Sequence, residues 1–100
     1  MIIGHSVVMG HGAVSNCHKI GSHVLIGVNS TLLHDAEIGD YCIIAAGCLV
    51  RENMKIPDRS FLVGLPGEIK GEVSADQQWW IKESPSIYSQ LSKQYKLEGL

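Results

Sequence analysis

From Ile20 to Leu62 a branched apolar residue returns at every sixth position: Ile20, Ile26, Leu32, Ile38, Ile44, Val50, Ile56 and Leu62. Four positions after each comes a second residue that is small or apolar: Val24, Ser30, Ala36, Cys42, Cys48, Met54 and Ser60. Directly after the first stands a small residue in most repeats, as at Gly21, Gly27, Gly39 and Ala45. A period of six matches neither an amphipathic helix nor an alternating strand. It belongs to the parallel β-helix, in which each hexad supplies one short strand and one corner. The first residue then points into the shaft, and the residue four later fills the interior near the next corner and must be small. Glycine or alanine relieves crowding where the backbone bends.

Three hexads close one triangular coil, so residues eighteen apart stack, with strands of neighbouring coils about 4.8 Å apart. Residues 2–19, 20–37 and 38–55 make three coils and 56–67 begin a fourth, close to the minimum that holds a continuous core. The first coil is less regular. Ile3-Gly4 and Met9-Gly10 open hexads, with Val7 and Ala13 at the small interior positions, but the next apolar residue, Val14, comes one position early. The spacing from Met9 to Ile20 is eleven rather than twelve, which places a shortened corner within residues 10–18. The inward row of this coil is expected to be Ile3, Met9 and Val14.

Gly64-Leu65-Pro66-Gly67 ends the repeat, since glycine and proline punctuate strands. The domain reading is a β-helix over 1–67, followed by a linker and an amphipathic helix over 68–100 that packs on the shaft. Ser74 with Gln77 three later forms a capping box, and Asp76 suits the positive end of a helix dipole. A helix from about 75 to 83 follows. Ser84-Pro85 then gives a kink or a second start, with Ile87, Tyr88, Leu91 and Tyr95 on one face of a continuation to about Lys96.

Composition narrows the function classes. A net charge of −2 gives no electrostatic case for nucleic acid or an anionic membrane. No run of about 18 apolar residues and no charged-then-apolar leader is present, so neither a membrane span nor a signal peptide is expected. Cys17, Cys42 and Cys48 form no CxxC, and the last two occupy small interior positions. They read as buried thiols of a reducing compartment, and the expected location is cytoplasmic.

The motif 9–21 (Met-Gly-His-Gly-Ala-Val-Ser-Asn-Cys-His-Lys-Ile-Gly), with Leu-Ile-Gly-Val-Asn-Ser (25–30), Asp-Ala-Glu-Ile-Gly-Asp (35–40) and Gly-Leu-Pro-Gly (64–67), resembles the γ-class carbonic anhydrase-like branch of the hexapeptide-repeat proteins. The tail, with Trp79 or Trp80 followed by Tyr88 and Leu91, also looks like that branch, especially its members that accompany carnitine and phenylacetate metabolism. The resemblance covers essentially the whole chain, which starts about where the family's second half starts. It implies a left-handed parallel β-helix, a homotrimer and zinc-dependent CO2 hydration. It also implies a metal site made from three histidines of two chains, two of them five apart across the short corner. His11 matches the first of that pair, and Asn16 stands where the second histidine belongs. The third histidine belongs to coils upstream of this chain's first.

A catalytic zinc needs about three protein ligands and an open position for water. With Asn16 in place of a histidine, the implied activity is expected to be weak or lost. His18 and Cys17 are the nearby substitutes, and His11 with His18 or Cys17 from a neighbouring chain would be a rearranged zinc site. The alternative for these residues, and for His5, His23 and His34, is an outward corner position with hydrogen bonds in an interface. His5 and His23 are eighteen apart and should stack. An acyl-CoA-dependent acyltransferase of the same superfamily is a second reading, with His11 or His34 as general base on the acceptor. Against it, no long acceptor loop interrupts the hexads, and Arg51, Lys55, Arg59 and Lys70 are scattered rather than clustered for CoA phosphates. A third reading is a non-catalytic trimer, or a chain that completes a longer partner. Outward Val8, Leu25, Ile43 and Leu49 favour trimerisation. The uncapped N-terminal end predicts stacking of two trimers into a hexamer, or docking of a chain that carries further coils.

Overall fold

The computed structural model describes residues 1–77 and Ile81. Eleven of its twelve strands arise from the hexads. They are β1 (Ile2–Ile3), β2 (Val8–Met9), β3 (Val14–Ser15), β4 (Lys19–Ile20), β5 (Leu25–Ile26), β6 (Thr31–Leu32), β7 (Glu37–Ile38), β8 (Ile43–Ile44), β9 (Leu49–Val50), β10 (Lys55–Ile56) and β11 (Ser60–Val63). Every third strand pairs in parallel, giving three faces: β1-β4-β7-β10, β2-β5-β8-β11 and β3-β6-β9. The chain thus winds as a solenoid of triangular section, as the six-residue period requires.

The predicted inward rows are buried. Ile20, Ile26, Leu32, Ile38, Ile44, Val50, Ile56 and Leu62 form one core with Val24, Ala36, Cys42 and Cys48. Two hydroxyls share the interior and both donate to backbone carbonyls: Ser30 Oγ to Ala45 O at 2.9 Å and Ser60 Oγ to Pro57 O at 2.8 Å. Pairing them lets small polar residues stand where an apolar one would serve. Met54 is half-buried.

The glycines after the inward residues answer to crowding between coils. A Cβ on Gly27 would lie 2.4 Å from Ala46 N, and one on Gly21 would lie 2.7 Å from Gly39 C.

The corners have a conformational rule of their own. Three positions after the inward residue the backbone is left-handed at Ser6, Gly12, His23, Asn29, Asp35, Tyr41, Gly47, Asn53 and Arg59. Only the corner between Ser15 and Ile20 has no such residue. The register explains why. Ile3 pairs with Ile20, Met9 with Ile26 and Ser15 with Leu32, an offset of seventeen, whereas later coils are offset by eighteen. Ser15, not Val14, therefore holds the inward place. Val14 pairs with outward Thr31 and is 56% exposed, which corrects the expected row of Ile3, Met9 and Val14. The apolar residue is one position early because it belongs to the outer surface. The missing residue is the left-handed one, and buried Cys17 fills the corner in its place.

After β11 the turn at 64–67 reverses the chain, and β12 (Glu68–Glu72) runs antiparallel to β11, a strand where the sequence predicts a linker. Gly67 approaches the shaft closely enough to donate its N–H to Leu49 O at 2.8 Å; a Cβ there would meet Cys48 Sγ at 2.8 Å. The capping box forms as predicted: Ser74 N–H donates to Gln77 Oε1 at 2.8 Å, and Gln77 N–H donates to Ser74 Oγ at 3.2 Å. Residues 75–77 and Ile81 are helical. The Ser84-Pro85 break, the face of Ile87, Tyr88, Leu91 and Tyr95, and the Trp79, Trp80 and Tyr88 tail lie outside the described residues. Among the described residues no helix is long and apolar enough to cross a membrane.

Candidate functional site

The two motif positions sit at opposite ends of β3. His11 lies in the corner before it, exposed, with its carbonyl accepting the Asn29 N–H at 2.9 Å. Asn16 follows β3 and is also exposed, its N–H donating to Leu32 O at 2.9 Å. A two-residue strand thus holds these side chains at two different corners of the triangle. His18 belongs to the same corner as Asn16, exposed and fixed by its N–H to Ala36 O at 2.8 Å. Cys17 turns inward beside Ser15, with Sγ and Oγ 3.1 Å apart.

Zinc, the metal implied by the resemblance, does not fit a single chain. Asn16 offers an amide where an imidazole is needed, and His11 and His18 stand at opposite ends of a strand. Among the described residues no three His, Cys, Asp or Glu side chains converge as a metal-binding group. The thiols add nothing to such a site. Burial pushes the Cys42 thiol above its ordinary range, and its Sγ donates to Pro57 O at 3.1 Å. Burial raises Cys48 as well. Both stay protonated near neutrality and are poor nucleophiles and ligands.

Two other corners carry polar side chains. His34 Nε2 lies 3.5 Å from Glu52 Oε2, both exposed, in the corner that follows β6 and β9. Leu33, Arg51, Glu52 and Met54 line an open cleft there. The corner between the first and second faces is organised by a ladder that the sequence reading does not include. His5 N–H donates to Ser22 Oγ at 3.2 Å, Ser22 N–H to Asp40 Oδ1 at 2.8 Å, and Asp40 N–H to Asp58 Oδ1 at 2.7 Å. The eighteen-residue spacing of Asp40 and Asp58 was the available signal. Beside the ladder, the His5 and His23 rings share this outer corner, as the sequence predicts, and meet edge to face at 4.9 Å; with the first coil offset by seventeen, the residue in register with His5 is Ser22. Tyr41 stacks on His23 at 4.8 Å and 12°.

The outward rows differ by face. The first carries Ile2, Lys19, Glu37 and Lys55, with Lys55 hydrogen-bonded to Glu37 and holding its carboxyl below the usual range. The second carries Val8, Leu25, Ile43 and Phe61, all apolar and half-buried. The third carries Val14, Thr31 and Leu49.

Residues 18–52 match the family model described as bacterial transferase hexapeptide (six repeats). The chain is 42% identical over 92 residues to the "Probable carbonic anhydrase" of Methanocaldococcus jannaschii, covering 92% of this chain and 58% of that protein. It is 32% identical over 90 residues to the carnitine operon protein CaiE of Escherichia coli K12, covering 90% of this chain and 46% of CaiE. A provisionally assigned acetyltransferase of Bacillus cereus superposes with a TM-score of 0.81 at 28% identity, over 94% of this chain and 60% of that one. The chain therefore spans about half the length of the curated relatives it matches. With its corner motif, its β-helix and these relatives together, the chain belongs to the hexapeptide-repeat family, on a left-handed parallel β-helix and with carbonic anhydrases among its relatives.

Proposed function

We propose that this chain is a γ-carbonic anhydrase-like subunit in which zinc-dependent CO2 hydration is weak or lost, and which works as one shaft of a homotrimer. The observation that carries the reading is the placement of His11 and Asn16 at opposite ends of β3. A ligand set drawn from both corners needs two chains, and in this sequence one of the two corners has lost its imidazole. His11 remains as the metal-facing residue of one corner. His18 is the nearest imidazole to Asn16, and a His11–His18 pair across two chains is the arrangement by which a weak site would survive. Zinc, where bound, supplies an acidified water; the residues described here hold no complete set for it. A cytoplasmic location goes with this reading, supported by three buried free cysteines, which a reducing compartment keeps as thiols.

The trimer is supported by the second outward row, Val8, Leu25, Ile43 and Phe61, which puts four apolar side chains in line on one flat face. Stacking of two trimers through the first coil into a hexamer belongs to the same proposal. Ile3 is 50% exposed and Met9 39%, and β1, β2 and β3 each stand at the edge of their sheet. Two trimers meeting at that end would cover both features.

An acyl-CoA-dependent acyltransferase is the second reading, favoured by the transferase family model and the acetyltransferase-like superposition. His34, already paired with Glu52 beside the cleft of Leu33, Arg51 and Met54, would be its general base. CO2 hydration by stopped flow, run beside acetyl-CoA consumption with small amine and hydroxyl acceptors, separates the readings. The proposal expects at most a trace of the first and none of the second. Zinc-dependent hydration at the rate of an intact carbonic anhydrase would overturn the loss, and acceptor-dependent release of CoA would replace the proposal with the acyltransferase.

A further inference from the structure

The third face has a corner on either side of it, and the two corners keep level from coil to coil. His11 and Asn16 flank β3, Val28 and Leu33 flank β6, and Ala46 and Arg51 flank β9. Over these three coils the corner of His11, Val28 and Ala46 is uncharged: residues 10–13, 27–30 and 45–48 hold no Asp, Glu, Lys or Arg. Val28 stands out from it with 41% of its surface exposed. An uncharged edge with an apolar side chain turned outward has the composition of an interface core. The same corner ends in an open acceptor. Asn29 N–H takes the His11 carbonyl and Gly47 N–H takes that of Val28, but among the described residues no N–H takes the Ala46 carbonyl. The other corner offers what these groups lack. Leu33 and Met54 line its cleft of about 510 Å³ together with Arg51 and Glu52. Glu52 is engaged by His34 at 3.5 Å, and among the described residues no carboxylate pairs with Arg51.

We propose that these two corners dock between copies of this chain, with Val28 of one copy seated in the cleft of Leu33 and Met54 of the next. The Arg51 guanidinium of that next copy donates to the open Ala46 carbonyl, a charge-assisted hydrogen bond beside the apolar contact. The inference rests on the reading that His11 of one copy faces Asn16 of another. A rotation about an axis parallel to the shaft keeps every residue at its height. Setting His11 opposite Asn16 therefore also sets Val28 opposite Leu33 and Ala46 opposite Arg51. The two patches differ, so the contact is heterologous, and a ring of three closes it. Val28 is the anchor of that contact, and no metal takes part in it.

The test is sedimentation of the unmodified protein beside Val28→Lys, Leu33→Glu and the chain that carries both substitutions. Both positions lie on the outside of the shaft, and circular dichroism checks that each variant keeps its β-sheet signal. The expected result is a trimer for the unmodified protein and self-association weakened about tenfold or more in each single variant. The double variant should regain trimers, because every junction then pairs a new ammonium with a new carboxylate. Recovery of this kind separates a contact between copies from a loss of folding. Val28→Ile, which keeps the apolar anchor, should sediment like the unmodified protein. Trimers that persist undiminished in Val28→Lys, or a folded double variant that stays dissociated, would overturn the docking and leave the homotrimer standing. A monomeric unmodified protein would overturn both. None of these outcomes bears on the hydration assay, so the loss of activity is judged separately.

Discussion

At the scale of single residues, the inward and outward places of the hexads carry opposite consequences. Leu32→Ala empties a fully buried site and should cost about 2–5 kcal/mol in urea unfolding. Val14→Thr alters an exposed side chain and should change stability by less than about 0.5 kcal/mol. A large loss at Val14 would mean that the seventeen-residue register is wrong. Gly27→Ala should cost roughly 1–3 kcal/mol, because the added carbon meets Ala46 backbone at 2.4 Å and backbone cannot step aside; an unchanged melting temperature would remove crowding as the reason for that glycine. The inward hexad residues were legible because burial and period coincide there. Ser15 was not, because a hydroxyl next to an apolar Val14 inverts the usual signal. The left-handed corners were only half legible: His23, Asn29, Asp35 and Asn53 are residue types that favour that region, whereas Ser6, Tyr41 and Arg59 are not distinguished by type.

At the scale of elements, the short corner and the capped helix are the two local departures from the repeat. Ser74→Ala removes the acceptor for the Gln77 N–H and should lower stability by about 0.5–2 kcal/mol, with a matching loss of helical circular dichroism. No loss of helical signal would mean the cap is dispensable. The cap was readable because its chemistry is local, a hydroxyl and an amide three residues apart. Strand β12 was not. Glu68–Glu72 carries no apolar alternation, and its pairing with β11 comes from the 64–67 turn and from the open edge that the last coil leaves. The shortened corner was located to within a few residues by counting, but the stacked register was needed to place it after β3. That placement matters for the site, since it puts Asn16 and His18 in the one corner that lacks a left-handed residue.

At the scale of the whole molecule, the first face is charged apart from Ile2 and the other two carry apolar residues outward, the pattern on which the proposed trimer rests. Sedimentation is expected to show trimers or their dimers, and a monomer at micromolar concentration would contradict the assembly. Ile3→Lys places a charge on the exposed end and should convert hexamers to trimers while leaving the β-sheet signal intact; trimers that never stack in the unmodified protein would remove the end-to-end contact. The fold was legible because it repeats. The site was legible only as a motif with one mismatch, because its implied geometry depends on a second chain that no single sequence displays. The central claim, that the histidine site fails at Asn16, is tested most directly by zinc retained after gel filtration, measured by elemental analysis on the unmodified protein and on Asn16→His. The account predicts little zinc in the first and a clear gain in the second, a gain that removing His11 abolishes. Stoichiometric zinc in the unmodified protein, or no gain on restoring the histidine, would contradict it.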